Sequence, residues 1–103
     1  MDHRPELQKI LENIEGVTKV YFDPPINTRI EYPCIKFSLN RRTAIYADDR
    51  KYIKGENYII IFITRDVTKA SLVLEQIEDI PCTSWDRTYI ADGLHHYVYT
   101  KNY

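Results

Sequence analysis

Residues 85–100 read WDRTYIADGLHHYVYT, two alternating runs joined by Asp92-Gly93. Asp-Gly between such runs is the strongest short hairpin signal, because a type I′ turn needs positive φ at both central residues. Pairing Ala91 with Leu94 sets Ile90 opposite His95, Thr88 opposite Tyr97 and Asp86 opposite Tyr99 on one face. Trp85, Arg87, Tyr89, His96, Val98 and Thr100 then share the other face.

Working outward, residues 58–64 (YIIIFIT) are the most apolar segment of the chain. Apolar side chains on both faces mark a central strand covered on both sides. Residues 34–39 alternate, with Ile35, Phe37 and Leu39 on the inward set. Residues 17–22 alternate as well and stop at Pro24-Pro25, and residues 26–32 read as loop. The polar stretch 40–57 is too long for a structureless loop. It predicts a short strand over Thr43 to Ala47, followed by a turn at Asp48-Asp49.

Two helices complete the pattern. Residues 6–15 place Leu7, Ile10, Leu11 and Ile14 on one stripe, with Pro5 in the first turn and Gly16 as the stop. Residues 69–79 do the same with Ala70, Val73, Leu74 and Ile77, with Thr68 as the N-cap and Pro81 ending the helix. The order of elements predicts one α+β domain over residues 1–103. Its core is an antiparallel sheet of about five strands, with two short helices packed mainly on one face.

Composition narrows the function classes. A chain of 103 residues holds one core. With 44% hydrophobic and 28% charged residues, it is not disordered. Fourteen Lys and Arg against 15 Asp and Glu, a net charge of -1, argue against a dedicated nucleic-acid binder. Nine Tyr and only 3 Gly suit half-buried strands and subunit contacts better than a phosphate-cradling enzyme. No apolar run approaches the ~20 residues of a membrane span, and the charged, Pro-containing start does not resemble a signal peptide. The expectation is a cytoplasmic protein without membrane contact. Cys34 and Cys82, each following a proline, are expected to be reduced, buried thiols at strand starts.

His95-His96 beside Asp92 is the one cluster that invites catalysis. Adjacent strand residues point to opposite faces, so the two rings cannot share a metal or a proton. No GxxxxGK[ST], HExxH or GxGxxG pattern occurs. The reading is a non-enzyme with no cofactor and no metal.

Charge layout says more. Residues 40–54 carry Arg41, Arg42, Arg50, Lys51 and Lys54 against Asp48 and Asp49, a net of +3. Residues 66–79 carry Asp66, Glu75, Glu78 and Asp79 against Lys69, a net of -3. Opposite patches on one small domain suit head-to-tail contacts in a ring. Solvated faces are one alternative. Another is phosphate contact by the basic patch, with Tyr46 and Tyr52 available for stacking. The candidate subunit interface or lumen is therefore Arg41, Arg42, Arg50, Lys51, Lys54, Glu75, Glu78 and Asp79. Two short helices cover only about one sheet face, so the central strand's other face marks a protein contact unless residues 23–33 cover it.

Several blocks carry a family likeness. VYFDPP (20–25), YPCI (32–35), YADDRKY (46–52), WDRTY (85–89) and DGLHHYVY (92–99) span nearly the whole chain. They resemble small tailed-bacteriophage and prophage proteins, the tail-terminator (tail-completion) family of the neck. The resemblance implies an α+β subunit in a hexameric ring on the last ring of the tail tube, where it stops tube growth and helps join tail to head. The partners it implies are further copies of the chain, the tail-tube protein, a head-completion or connector protein, and DNA in passing. The location it implies is the host cytoplasm during assembly and then the virion neck. No catalytic residue comes with the family. Alternatives of a different kind are a head-completion or adaptor protein of the head–tail connector and a small nucleic-acid-binding module.

Overall fold

The computed structural model describes residues 3–25, 27–47 and 50–103, with residues 41–47 and 50–54 described by backbone alone. Five strands form one sheet: β1 (Lys19–Phe22), β2 (Cys34–Ala47), β3 (Arg50–Thr64), β4 (Thr83–Ala91) and β5 (Leu94–Asn102). Their order is β1-β2-β3-β5-β4, so the apolar β3 takes the centre. It pairs antiparallel with β2 on one side and β5 on the other.

Two helices cover one face. α1 (Arg4–Glu12) and α2 (Ala70–Glu78) bring Leu7, Leu11, Val73 and Ile77 onto Ile35, Phe37, Tyr58, Ile60, Phe62 and Tyr99. Burial of each such side chain contributes roughly 1.5–3 kcal/mol, which holds in place helices too short to persist alone. α1 starts at Arg4, two residues before the expected Glu6, with Pro5 in its first turn. It ends at Glu12 rather than at residue 15, yet Ile14 beyond it still reaches the core. Gly16, at φ +95°, brings the chain so near α2 that an added Cβ would stand 3.0 Å from Val73 Cγ2.

The start of α2 corrects the expected cap. Asp66, not Thr68, accepts the capping hydrogen bond, from Thr68 N at 2.9 Å, and a 3₁₀ turn (Val67–Lys69) leads into the helix. Thr68 Oγ1 donates to the same carboxylate at 2.6 Å, so the hydroxyl reinforces the cap instead of making it. These two hydrogen bonds hold the Asp66 carboxyl below the usual carboxylate range.

β1 is the second correction, because it pairs with β2 in parallel. Residues 23–33 return the chain to the start of β1, where Thr18 N donates to Pro33 O at 2.9 Å. On the way back, Ile30 and Tyr32 cover Cys34, Ile63 and Leu94 on the helix-free side of the sheet. This cover is partial, and Ile59 and Ile61 stay half-buried.

The C-terminal hairpin turns at Asp92 (φ +54°) and Gly93 (φ +74°), and its register follows Ala91–Leu94 down to Arg87–Val98. A bulge then intervenes, so Trp85 rather than Asp86 lies opposite Tyr99. Leu39, expected to point inward, is 39% exposed at the last pair before the irregularity in β2. Cys34 is buried at the start of β2, as expected of a free cysteine, although its alternation set it on the outward face, where Ile30 and Tyr32 cover it. Cys82 is exposed, contrary to expectation, because it sits at φ +60° in the turn before β4 instead of within the strand.

Candidate subunit interface

The polar stretch between the two apolar strands is not a short separate hairpin. β2 and β3 run straight through it, and the expected strand over Thr43 to Ala47 is the outer part of β2. Beyond Asn57, which pairs with Asn102, β5 has ended, and past the Glu56–Tyr103 backbone bonds the β2–β3 ladder continues without β5. The ladder continues from Arg41–Asn57 through Arg42–Glu56 and Ala44–Lys54 to Ala47–Arg50. At ~3.3 Å per residue this is a two-stranded arm about 20 Å long. The molecule is elongated, 51 Å along its longest axis against 30 and 24 Å. The expected turn at Asp48-Asp49 lies outside the described residues. So do the side chains of Arg41, Arg42, Arg50, Lys51 and Lys54, whose backbone positions all fall on the arm.

The base of the arm is braced. Asn40 Nδ2 donates to Asn57 Oδ1 at 2.8 Å, and Asn57 Nδ2 donates to Asn102 Oδ1 at 2.7 Å, which ties β2, β3 and β5 through one row of amides. Asn57 is buried, so these bonds satisfy groups that water does not reach. Next to them, Tyr103 N donates to Glu56 O at 2.8 Å, and His3 N donates to Glu56 Oε1 at 3.2 Å. The His3 ring stacks on Tyr103 at 4.2 Å, and Lys101 Nζ lies over the same ring at 4.3 Å. Burial, helped by the charges of Glu6 and Glu56, raises the Tyr103 phenol above its ordinary range.

The acidic candidates lie on a different element. Glu75, Glu78 and Asp79 are exposed on the last turn of α2 and the residue that caps it. Tyr99 Oη donates to Glu78 Oε2 at 2.9 Å. Burial first, then this bond and the Glu78 charge, push the Tyr99 phenol far above its ordinary range. The acidic candidates thus lie on α2 and the backbone positions of the basic ones on β2 and β3, two different elements.

A third feature was not read from the sequence at all. β4 is the outer strand of the sheet, and its residues from Ser84 to Ala91 are all exposed. Trp85 is 62% exposed and Ile90 66%. Long, flat edges with exposed apolar side chains are templates for pairing with another chain. The alternating pattern of residues 85–91 says that a strand forms but not that, among the described residues, no strand pairs with its outer edge. The usable signal is that β5 must serve both the central strand and β4, which leaves β4 outermost.

The histidines divide as adjacent strand residues do. His96 stacks on Tyr89 at 4.5 Å, with Nδ1 3.1 Å from Leu94 O, and His95 stands on the ladder opposite Thr64 and Ile90. Among the described residues, no three His, Cys, Asp or Glu are grouped to hold a metal, and no helix is long and apolar enough to cross a membrane. Burial pushes the Cys34 thiol up to about 11, against a smaller opposing pull from Lys36, which keeps it protonated and unreactive. No protein-family model matches the chain, and neither does any curated protein. What the geometry offers is a set of surfaces: a charged arm, an acidic helix end and an open strand edge.

Proposed function

We propose that the chain is a structural subunit of a tailed-bacteriophage neck, a tail terminator whose ring caps the tail tube, ends tube growth and receives the filled head. The observation that carries this reading is the arm. A two-stranded ribbon that extends past the third strand of its sheet is marginally stable by itself and gains stability by docking. It therefore suits a subunit that completes itself on neighbours.

The open β4 edge adds a second surface of the same kind, different from the first. Contacts between unlike surfaces join subunits head to tail, and such contacts close into rings when the rotation allows. The family likeness of the five sequence blocks supplies the identity of the ring, its tail-tube partner below and its connector partner above. In a ring, a basic arm has two places to go, a neighbouring subunit or the lumen through which DNA passes. The second placement also accommodates the phosphate contact considered for the basic patch.

Electron microscopy of particles assembled without this protein separates the neck roles. Loss of a terminator leaves filled heads without tails, beside tails that are overlong or headless. Heads that leak DNA, beside tails of normal length, are the outcome for a head-completion protein and would overturn the terminator assignment.

A further inference from the structure

We infer that Trp85 and the carboxylates of Glu75, Glu78 and Asp79 form the acceptor half of a head-to-tail contact whose other half is the basic β2–β3 arm of a second copy. This rests on the ring reading above and specifies its contact. Three observations bring the acceptor together. The bulge in β4 puts Trp85 directly opposite Tyr99. Tyr99 in turn donates to Glu78 at 2.9 Å, so the strand position of Trp85 and the Glu78 carboxylate both adjoin the same tyrosine. Glu75 and Asp79 flank Glu78 at the exposed C-terminal end of α2, where the helix dipole adds further negative potential.

An exposed indole beside carboxylates is a receptor for guanidinium and ammonium groups. The cation lies over the ring face, and the carboxylates accept its N–H donors. Phosphate is repelled by the same charges, so nucleic acid is not the occupant. The sequence holds the complement itself: net +3 over residues 40–54 against net -3 over residues 66–79. The arm continues outward past the last β3–β5 pair, free of any other strand of its own sheet. The unpaired edge of β4 next to Trp85 offers backbone groups to an incoming strand as well.

The test uses full-length chains with tail-tube protein present, read by native mass spectrometry and light scattering. One variant carries Arg41→Glu and Arg42→Glu, and the other Glu75→Lys and Glu78→Lys. Each alone sets like charges against each other at every contact and is expected to stay dissociated. Mixed, they restore opposite charges at both kinds of contact, and the expected product is an assembly alternating one to one. Trp85→Ala, folded by circular dichroism, is expected to weaken self-association about tenfold.

If both charge variants assemble alone as well as wild type, this contact is wrong and the ring reading stands. If the Arg-reversed variant fails and the mixture fails too, the arm meets some surface other than this patch, and the inference falls. A wild-type chain that stays monomeric even with tail-tube protein removes the ring reading and the contact together.

Discussion

β3 and β4 are both strands of one sheet, and they do opposite work. In β3, Tyr58, Ile60, Phe62 and Ile63 are at most 2% exposed, with strands on either side. In β4, nothing from Ser84 onward is buried, although the strand carries a Trp, a Tyr and an Ile. Aromatic and β-branched side chains thus form core where both neighbours exist and surface where one is missing. The lesson is that position in the sheet, more than residue type, decides whether an aromatic side chain stabilises the fold or remains available to a partner.

Breaking the central strand has the largest effect. Phe62→Ala leaves a cavity under both helices and is expected to cost about 3–5 kcal/mol, read by chemical denaturation. A loss under 1 kcal/mol would mean that the centre is not where the fold is held.

Alkaline titration gives the next largest effect and compares the two thiols. Cys34, laddered to Ile63 of β3, has its folded-state pKa raised to about 11. A raised value contributes stability that is full below the unfolded pKa of ~8.5 and is lost as pH climbs through 11. The loss is on the order of 3 kcal/mol, and it is absent from Cys34→Ala. At neutral pH, a thiol reagent is expected to label only Cys82, beside β4, until the chain unfolds.

Gly93→Val strains the turn that aligns β4 on β5, because a β-branched residue resists φ +74°. The expected cost is about 1–3 kcal/mol. An unchanged melting temperature would mean that the edge strand is held by something other than its turn.

Acid titration probes the turn that follows β3. The Asp66 carboxyl lies below its ordinary value, so its cap stabilises above the unfolded carboxylate pKa of ~3.9 and is lost as pH falls through the folded one. The stability difference between wild type and Asp66→Ala is expected to vanish at low pH. A constant difference would make the effect one of packing. Trp85→Ala closes the series with a stability change within ~0.5 kcal/mol, since the indole packs on little.

These contrasts mark where the sequence was legible. Asp92-Gly93 specified the hairpin turn and its first five pairs, and the doubly apolar 58–64 run specified the centre, since both signals are local. The Asp86 bulge was not legible, because the extra residue that moves Trp85 onto the face of Tyr99 leaves no mark in the residue types. The continuity of β2 through Asn40, Arg41 and Arg42 was hidden because those polar residues lack any periodic apolar signal; the pairing partner makes the strand. The parallel β1 depended on how residues 23–33 return, a long-range matter. At the candidate interface, the exposed acidic residues of α2 were legible from residue type, and the side chains of the basic ones lie outside the described residues. Trp85 was not legible, since exposure depends on the strand order of the whole sheet.

Capping of a tail tube is the role we propose for this subunit. Its most direct test is to polymerise tail-tube protein in vitro with and without the purified chain and to measure tube lengths by electron microscopy. The account predicts shorter tubes that stop growing, each ending in one ring of this protein. Tubes of unchanged length with bare ends, beside a chain that remains monomeric, would contradict it.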